Sequence, residues 1–200
     1  MRLVFASNNA HKLAEVRAIM PAGVDVLSLR EIGFEQEIEE TGTTLEENSA
    51  IKARTVADFI HNKMSAALND GMVIDGVFAD DTGLEIDALG GQPGVYTARW
   101  AGEPAANRKK ALSELADKTN RCAQFRTVIT LIMNGRTTQV EGIVRGRIAT
   151  EEYGEGGFGY DPVFIPEGYD KTFGELPAEI KNNISHRARA LAELVKILHD

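Results

Sequence analysis

The order of the predicted elements indicates an α/β protein with a mixed sheet flanked by helices. Short runs rich in β-branched and aromatic residues alternate with segments whose apolar residues recur at helical spacing. Two such runs, at 125–133 and 137–147, flank Asn134-Gly135, the dipeptide that most strongly predicts a two-residue hairpin. An antiparallel hairpin within an alternating helix–strand pattern predicts a sheet with both parallel and antiparallel strands.

The first half of the chain is predicted to contain two short strands and two helices. Ser7-Asn8-Asn9 supplies cap residues for the first helix. The second helix has a choice of two capping boxes, Thr43 with Glu46 or Thr44 with Glu47. The predicted elements are a strand at 2–6, a helix at 10–20, a strand at 24–29, the long helix and a turn at Asn69-Asp70-Gly71.

The second half begins with a strand that leads to Asp80 and Asp81. Leu191, Leu194 and Leu198 give the last predicted helix an apolar stripe. The remaining predicted elements are a helix at 107–116, the hairpin, a glycine-rich loop at 154–159, a short buried strand at 163–165 and a helix at 184–199.

The composition is that of an ordinary globular protein. The 200 residues suffice for a single domain, with one large core or two small lobes, and 43% of them are hydrophobic. The single cysteine, Cys122, excludes an intramolecular disulfide and favours a cytoplasmic location. We expect neither a signal peptide nor a membrane span, because no apolar run approaches the ~18 residues that a span needs. A net charge of −8 argues against a nucleic-acid partner.

Asp80 and Asp81 carry the strongest chemical signal in the sequence. They follow a short apolar run and precede Thr82-Gly83, so we expect them at the end of a strand, before a turn. Adjacent carboxylates resist joint ionisation, and such a pair is expected to share a proton or a cation. The usual cation is Mg²⁺, which takes one or two carboxylates together with substrate phosphates. The alternative is a solvated turn without a chemical role.

Two segments are candidates for binding a phosphate and its metal ion. The first is a polar turn and helix start, where backbone N–H groups and a lysine would face an anion. Its residues are Ser7, Asn8, Asn9, Ala10, His11 and Lys12. In the second segment Glu39 or Glu40 would face a metal ion and Lys52 a phosphate. Taken alone, each segment is better explained as an ordinary helix start.

Two further segments are suited to a flat ligand with polar edges. In the glycine-rich loop Phe158 can stack on such a ligand, and Asp161 can accept a hydrogen bond from a ring N–H. Around Lys181, His186 and Arg187, cations gather at a predicted helix start, where the macrodipole disfavours them. A local rule broken in this way is expected at a functional site.

Together these segments resemble the inosine and xanthosine triphosphate pyrophosphatase family, whose members act on non-standard purine nucleotides. Each segment alone is moderately specific, but their order and spacing are highly specific, and the resemblance covers essentially the whole chain. The matching segments are 6–12, 39–52, 79–100, 157–166, 171–176 and 181–191.

The resemblance implies two lobes with a central substrate cleft, a homodimer and a requirement for Mg²⁺. The implied reaction splits a nucleoside triphosphate into its monophosphate and pyrophosphate. Asp81 resembles the proton acceptor and a metal ligand, and Glu39 resembles a second carboxylate associated with the metal. The implied triphosphate contacts are Ser7, Asn8, Asn9, Ala10, His11, Lys12, Lys52 and Thr82. The implied nucleotide and base contacts are Phe158, Gly159, Tyr160, Asp161, Lys181, His186 and Arg187.

Base selection is expected to follow from hydrogen-bond polarity. Asp161 would accept the N1–H of hypoxanthine or xanthine, and His186 or Arg187 would donate to O6. Adenine presents the reverse pattern. Two other functions stay open from the sequence: a pyrophosphatase for other modified nucleoside triphosphates, and a nucleotide-binding regulator without turnover.

Overall fold

The computed structural model describes residues 1–66 and 73–199, and the turn predicted at Asn69-Asp70-Gly71 lies outside them. The described elements confirm the α/β class. The strands are β1 (Arg2–Phe5), β2 (Asp25–Leu27), β3 (Gly76–Ile86), β4 (Pro93–Gly94), β5 (Cys122–Met133), β6 (Arg136–Ile148) and β7 (Phe164–Pro166). The helices are α1 (Ala10–Ile19), α2 (Leu45–Ala66), α3 (Pro104–Glu114), α4 (Ala178–Ile184) and α5 (His186–His199). Within the described ranges, no helix is both long and apolar enough to cross a bilayer.

The strands form one mixed sheet in the order β2-β1-β3-β5-β6-β7, with β4 paired to β3. β1 is parallel to β2 and to β3, and Phe5 lies opposite Phe78. β4 is antiparallel to β3, and β7 is antiparallel to β6. The predicted hairpin is confirmed as well. Asn134 and Gly135 have φ of 51° and 72°, the left-handed values that a type I′ turn requires.

The chain divides into two compact units. Unit 1 consists of Met1–Asp81, Val128–Glu141 and Ala190–Asp200, and unit 2 of Thr82–Thr127 and Gly142–Arg189. The core of unit 2 gathers aromatic side chains of β5, β7 and the turns on either side of β7 with apolar residues of α3. Its stacked and tilted rings belong to Phe125, Phe164 and Phe173.

Unit 1 has two apolar cores, which the alternation of side chains along β3 separates. Val77 and Ala79 pack in one core with residues of α2. Phe78 packs in the other core with residues of α1 and α5. Successive side chains of a strand point to opposite faces of the sheet. Within unit 1, α2 therefore covers one face of β3, and α1 and α5 cover the opposite face.

One predicted element is wrong, and one helix was not predicted. The strand does not end at the Asp pair, because β3 continues through Gly83 to Ile86 and pairs there with β4. The helix predicted at 184–199 is confirmed as α5, which begins at His186, but the separate helix α4 before it was not predicted, and Ser185 is extended where the two helices meet. The Ser185 side chain accepts a hydrogen bond from the N–H of Ala188, which caps the second helix instead of continuing the first.

Candidate functional site

The turn after β1 has the predicted helix cap. The side-chain oxygen of Asn9 accepts hydrogen bonds from the N–H groups of His11 (3.0 Å) and Lys12 (3.1 Å). Ser7 Oγ in turn accepts from the N–H of Asn9 at 3.2 Å. Three backbone groups that were expected to bind phosphate therefore already have acceptors. The strongest anion-binding group in this segment is the ammonium of Lys12.

The ammonium of Lys12 forms an ion pair with Asp80 on β3. The Nζ–Oδ1 distance is 2.9 Å, and the side chains of Lys12 and Asp80 are 16% and 1% exposed. The parallel register, with Phe5 opposite Phe78, brings the segment that follows β1 next to the residues that follow Phe78. The topology of the sheet thus determines this pair, which lies 68 positions apart in sequence.

Lys52 on α2 joins two more carboxylates. Its Nζ lies 2.9 Å from Asp81 Oδ1 and 2.9 Å from Glu40 Oε1. The start of α2 is fixed by the Thr44–Glu47 capping box, the second of the two predicted choices, because Thr44 Oγ1 accepts from the N–H of Glu47 at 3.1 Å. Lys12, Lys52, Glu40, Asp80 and Asp81 are together called the lysine–carboxylate cluster below.

A glycine positions the Glu40 end of this cluster. The N–H of Gly42 donates to Asn48 Oδ1 at 2.8 Å, and Asn48 is fully buried. A Cβ at position 42 would lie 2.6 Å from that oxygen and 2.6 Å from Glu47 Cβ. Position 42 therefore has room only for glycine while the chain before α2 stays against the helix.

The structure favours separate roles for Asp80 and Asp81, and a cation shared by the two stays a prediction. Asp80 points to the same face of β3 as Phe78 and pairs with Lys12 of α1. Asp81 points to the same face as Ala79 and pairs with Lys52 of α2. Side chains that point to opposite faces of a strand are poorly placed to bind the same ion. Each carboxylate of the pair has its own lysine instead.

The cluster suits a divalent cation bound partly by a substrate. Asp81 Oδ2 is buried and has no hydrogen-bond partner among the described residues. Two ammonium groups face three carboxylates, which leaves one negative charge in excess. Within residues 1–62 and 73–198, no set of three or more acidic, histidine or cysteine side chains is arranged to hold a metal. Mg²⁺ commonly takes only one or two carboxylates and completes its shell with water and phosphate.

Glu40, not Glu39, provides the second carboxylate of the cluster. Glu39 is exposed, whereas Glu40 is partly buried against Lys52. Either residue was compatible with the sequence. The metal role of Glu39 stays a prediction, and the geometry favours Glu40.

Burial and charge act in opposite directions on Lys52 and Asp81. Burial raises the pKa of the Asp81 carboxyl above its usual value, although the charges of Lys52 and Lys12 oppose the shift. Burial would lower the pKa of Lys52, but the nearby carboxylates outweigh it and raise this pKa. Lys52 faces several carboxylates, whose charges outweigh its burial, whereas burial prevails at Asp81.

A second group of predicted residues comes together in unit 2. Asp161 Oδ2 accepts from Lys181 Nζ at 2.6 Å and from the N–H of Phe158 at 2.7 Å. The same ammonium lies 4.6 Å from the centre of the Phe158 ring. Gly157 has a φ of 71°, and a Cβ there would collide with the Asp161 carboxylate. The glycine-rich loop thus wraps around this buried carboxylate.

Arg187 and Thr82 lie next to this group. Together, Phe158, Asp161, Lys181, Arg187 and Thr82 are called the aromatic–cation cluster below. Arg187 is only 1% exposed, its Nη2 lies 3.5 Å from Thr82 Oγ1, and its guanidinium carbon lies 5.9 Å from the Phe158 ring centre. A guanidinium so deeply buried is costly to desolvate, which is typical of a binding site.

Three predicted base or nucleotide contacts have structural partners in unit 2. His186 is buried and stacks on Phe125, with ring centres 4.6 Å apart. Tyr160 donates to the carbonyl of Thr97 at 3.1 Å, and burial raises the pKa of its hydroxyl. The carbonyl of Gly159 accepts from Arg108 at 3.0 Å. The substrate contacts of these residues stay predictions.

Buried lysines beside carboxylates, and a ring surrounded by cations, are together typical of a nucleotide-binding α/β protein. The model of the Ham1 family matches residues 3–197. The chain therefore belongs to the Ham1 family, and the resemblance that the sequence motifs indicated is confirmed.

The similarity to other proteins extends over nearly the whole chain. A dITP/XTP pyrophosphatase of Flavobacterium johnsoniae is 46% identical over 201 residues, covering 99% of this chain and 98% of that protein. One from Bacillus subtilis is 50% identical over 202 residues, with coverages of 98% and 96%. The solved structure of the Staphylococcus aureus Ham1 protein has a TM-score of 0.83 at 39% identity, covering 100% of this chain and 98% of that one.

Proposed function

We propose that this protein hydrolyses non-standard purine nucleoside triphosphates, namely those of inosine, deoxyinosine and xanthosine, to the monophosphate and pyrophosphate. The observation that carries the proposal is the lysine–carboxylate cluster, in which the buried Lys52 and the partly buried Lys12 occur together with Asp81 Oδ2, which is buried and has no hydrogen-bond partner among the described residues. Relatives named dITP/XTP pyrophosphatase, at 46% and 50% identity, support the substrate class.

Lys12 and Lys52 bind the polyphosphate in this proposal. A triphosphate repels an attacking nucleophile, and lysine ammonium groups reduce that repulsion. They also stabilise the charge that moves onto pyrophosphate as it leaves. Both ammonium groups are held by carboxylates on β3, so they are positioned before the substrate arrives.

Asp81 and Glu40 are the residues that would hold Mg²⁺. When bound, the ion would neutralise phosphate charge and help to orient the attacking water. Asp81 would also accept the proton of that water. Its pKa is raised by burial, which makes it a better base than an exposed aspartate.

The aromatic–cation cluster would bind the base. Phe158 offers a ring face for stacking, and Arg187 offers donors suited to the O6 of hypoxanthine or xanthine. Asp161 would accept the N1–H. A carboxylate has about four acceptor positions, so the bonds from Lys181 and Phe158 do not exhaust them. Adenine would leave these groups mismatched.

A single assay tests the proposal. Pyrophosphate release should be measured for inosine, xanthosine, adenosine, guanosine and modified pyrimidine triphosphates, with Mg²⁺ and then with a chelator. We expect fast release from the first two substrates and its loss with the chelator. Faster release from modified pyrimidines would indicate the alternative pyrophosphatase. Binding of inosine triphosphate without release would indicate a regulator without turnover.

Assembly as a homodimer and a cytoplasmic location remain predictions.

A further inference from the structure

We propose that Asp80 is a positioning residue, which holds the Lys12 ammonium for phosphate binding and is not a metal ligand. This inference rests on the proposed function, because it assigns Lys12 to the polyphosphate. It also divides the Asp pair into two roles, with Asp81 acting at the metal and Asp80 acting only through a lysine.

The geometry gives Asp80 a rigid place from which to act. Its side chain is 1% exposed, and it lies on β3 beyond Phe78, which packs in the core with α1 and α5. Lys12 lies in the first turn of α1 and is more exposed, at 16%. The strand thus fixes the carboxylate, and the carboxylate fixes the end of a long side chain.

Fixing that end favours phosphate binding. A free lysine loses rotamer freedom when it binds a ligand, and an anchored lysine has already lost it. An ammonium carries three donors, so a bond to Asp80 is compatible with bonds to phosphate oxygens. A carboxylate close to a polyanion is otherwise unfavourable, and its pairing with Lys12 accounts for its presence.

The direction of the side chain separates Asp80 from the metal. Asp81 lies on the α2 face of β3 with Lys52 and Glu40, and Asp80 lies on the α1 face. Substitution of Asp80 should therefore change phosphate affinity and leave Mg²⁺ affinity unchanged. Substitution of Asp81 should weaken Mg²⁺ binding.

The test is a double-mutant cycle read by calorimetry with inorganic tripolyphosphate. We expect Asp80→Asn to weaken tripolyphosphate binding about threefold to tenfold, the range expected for one immobilised side chain. In the Lys12→Ala background the same substitution should cause no loss of affinity, because its weakening effect passes through Lys12. Asp58→Asn, at an exposed position of α2, is the control and should have no effect.

A second titration uses Mg²⁺ alone. Asp80→Asn should bind the ion as the unsubstituted protein does, and Asp81→Asn should bind it more weakly. Thermal unfolding identifies variants that do not fold. Asp80→Glu, which keeps the charge but displaces it by one methylene, replaces Asp80→Asn in the cycle if that variant fails to fold.

Two results would overturn the inference. One is an equal loss of tripolyphosphate affinity with and without Lys12, or no loss at all. The other is weaker Mg²⁺ binding by the Asp80 variant. Neither readout needs turnover. A protein that binds tripolyphosphate but releases no pyrophosphate from inosine triphosphate would contradict the proposed function, while the coupling of Asp80 to Lys12 could still be measured.

Discussion

The lysine–carboxylate cluster and the aromatic–cation cluster are built alike but differ in the balance of carboxylates and cations. In both, a buried carboxylate holds a lysine, as Asp80 holds Lys12 and Asp161 holds Lys181. The first cluster has three carboxylates for two cations. The second has one carboxylate, Asp161, for Lys181 and Arg187, and a ring beside them.

This difference indicates which part of a nucleotide each cluster suits. An excess of carboxylate attracts a divalent cation, and the bound cation then offsets the repulsion between the carboxylates and a polyphosphate. An excess of donors around an aromatic ring suits a flat base with carbonyl oxygens. We therefore expect substitutions in the first cluster to act on turnover and metal binding. Substitutions in the second should act on substrate affinity and on the choice of base.

The largest effect is expected from Asp81→Asn. Loss of the proton acceptor should lower kcat for inosine triphosphate at least ~100-fold, the low end of general-base effects. Steady-state pyrophosphate release checks this, with Asp58→Asn as the matched exposed control. A kcat close to that of the unsubstituted protein would remove Asp81 from this role.

Gly42→Ala should damage the first cluster without changing any charge. The new Cβ would lie 2.6 Å from Asn48 Oδ1 and from Glu47 Cβ, so the segment before α2 must move. We expect a loss of about 1–3 kcal/mol in the free energy of unfolding, typical of overpacking. Urea denaturation measures it. Thr41→Ala, at the exposed neighbouring position, is the control. Equal stability of the two variants would show that a Cβ at position 42 is not crowded.

Phe158→Leu should act on affinity alone. Loss of the aromatic face should raise the KM for inosine triphosphate about tenfold, the order of one base–aromatic stack. The kcat should stay within about twofold, because the lysine–carboxylate cluster is intact. Phe158→Tyr keeps the ring and should leave KM unchanged. A fall in kcat with constant KM would place Phe158 in the chemical step instead.

The smallest effect is expected at Glu31, which belongs to neither cluster. Hydrogen bonds from the side chain and backbone of Ser28, together with Arg17, lower its pKa. A lowered pKa means that the ionised form stabilises the fold above the ordinary glutamate value of about 4.3. Glu31→Gln should cost at most a few tenths of a kcal/mol at neutral pH, since the pair is exposed.

That cost should shrink as the pH falls through the lowered pKa, because the carboxylate then becomes protonated in the unsubstituted protein too. Urea denaturation of both proteins at pH 7 and in acid measures the change. A cost that stays constant or grows in acid would contradict the assigned shift. The activity toward inosine triphosphate should not change.

Local signals in the sequence predicted local structure well. The hairpin at Asn134-Gly135, the Asn9 cap and the Thr44 capping box each depend on a few neighbouring residues, and all three are confirmed. The course of β3 beyond Asp81 could not be predicted in this way. Thr82-Gly83 looks like a turn, but β3 runs through it and pairs with β4 at Leu84 and Glu85.

The parts of the candidate site that the sequence left open depend on tertiary contacts. The choice of Glu40 over Glu39 depends on the Gly42–Asn48 hydrogen bond against α2. The pairing of Asp80 with Lys12 depends on the parallel register of β1 and β3. The sequence identified the residue types, and the sheet determines which lysine each carboxylate binds.

The division of roles between the clusters can be measured as one ratio, kcat/KM for inosine triphosphate over that for adenosine triphosphate. It should be compared in the unsubstituted protein, Asp81→Asn and Arg187→Lys, which keeps the charge but loses the planar pair of donors. We predict that Asp81→Asn lowers both rates and preserves the ratio, and that Arg187→Lys lowers the ratio at least about tenfold. A ratio that collapses in Asp81→Asn, or that survives in Arg187→Lys, would contradict the separate roles of the two clusters.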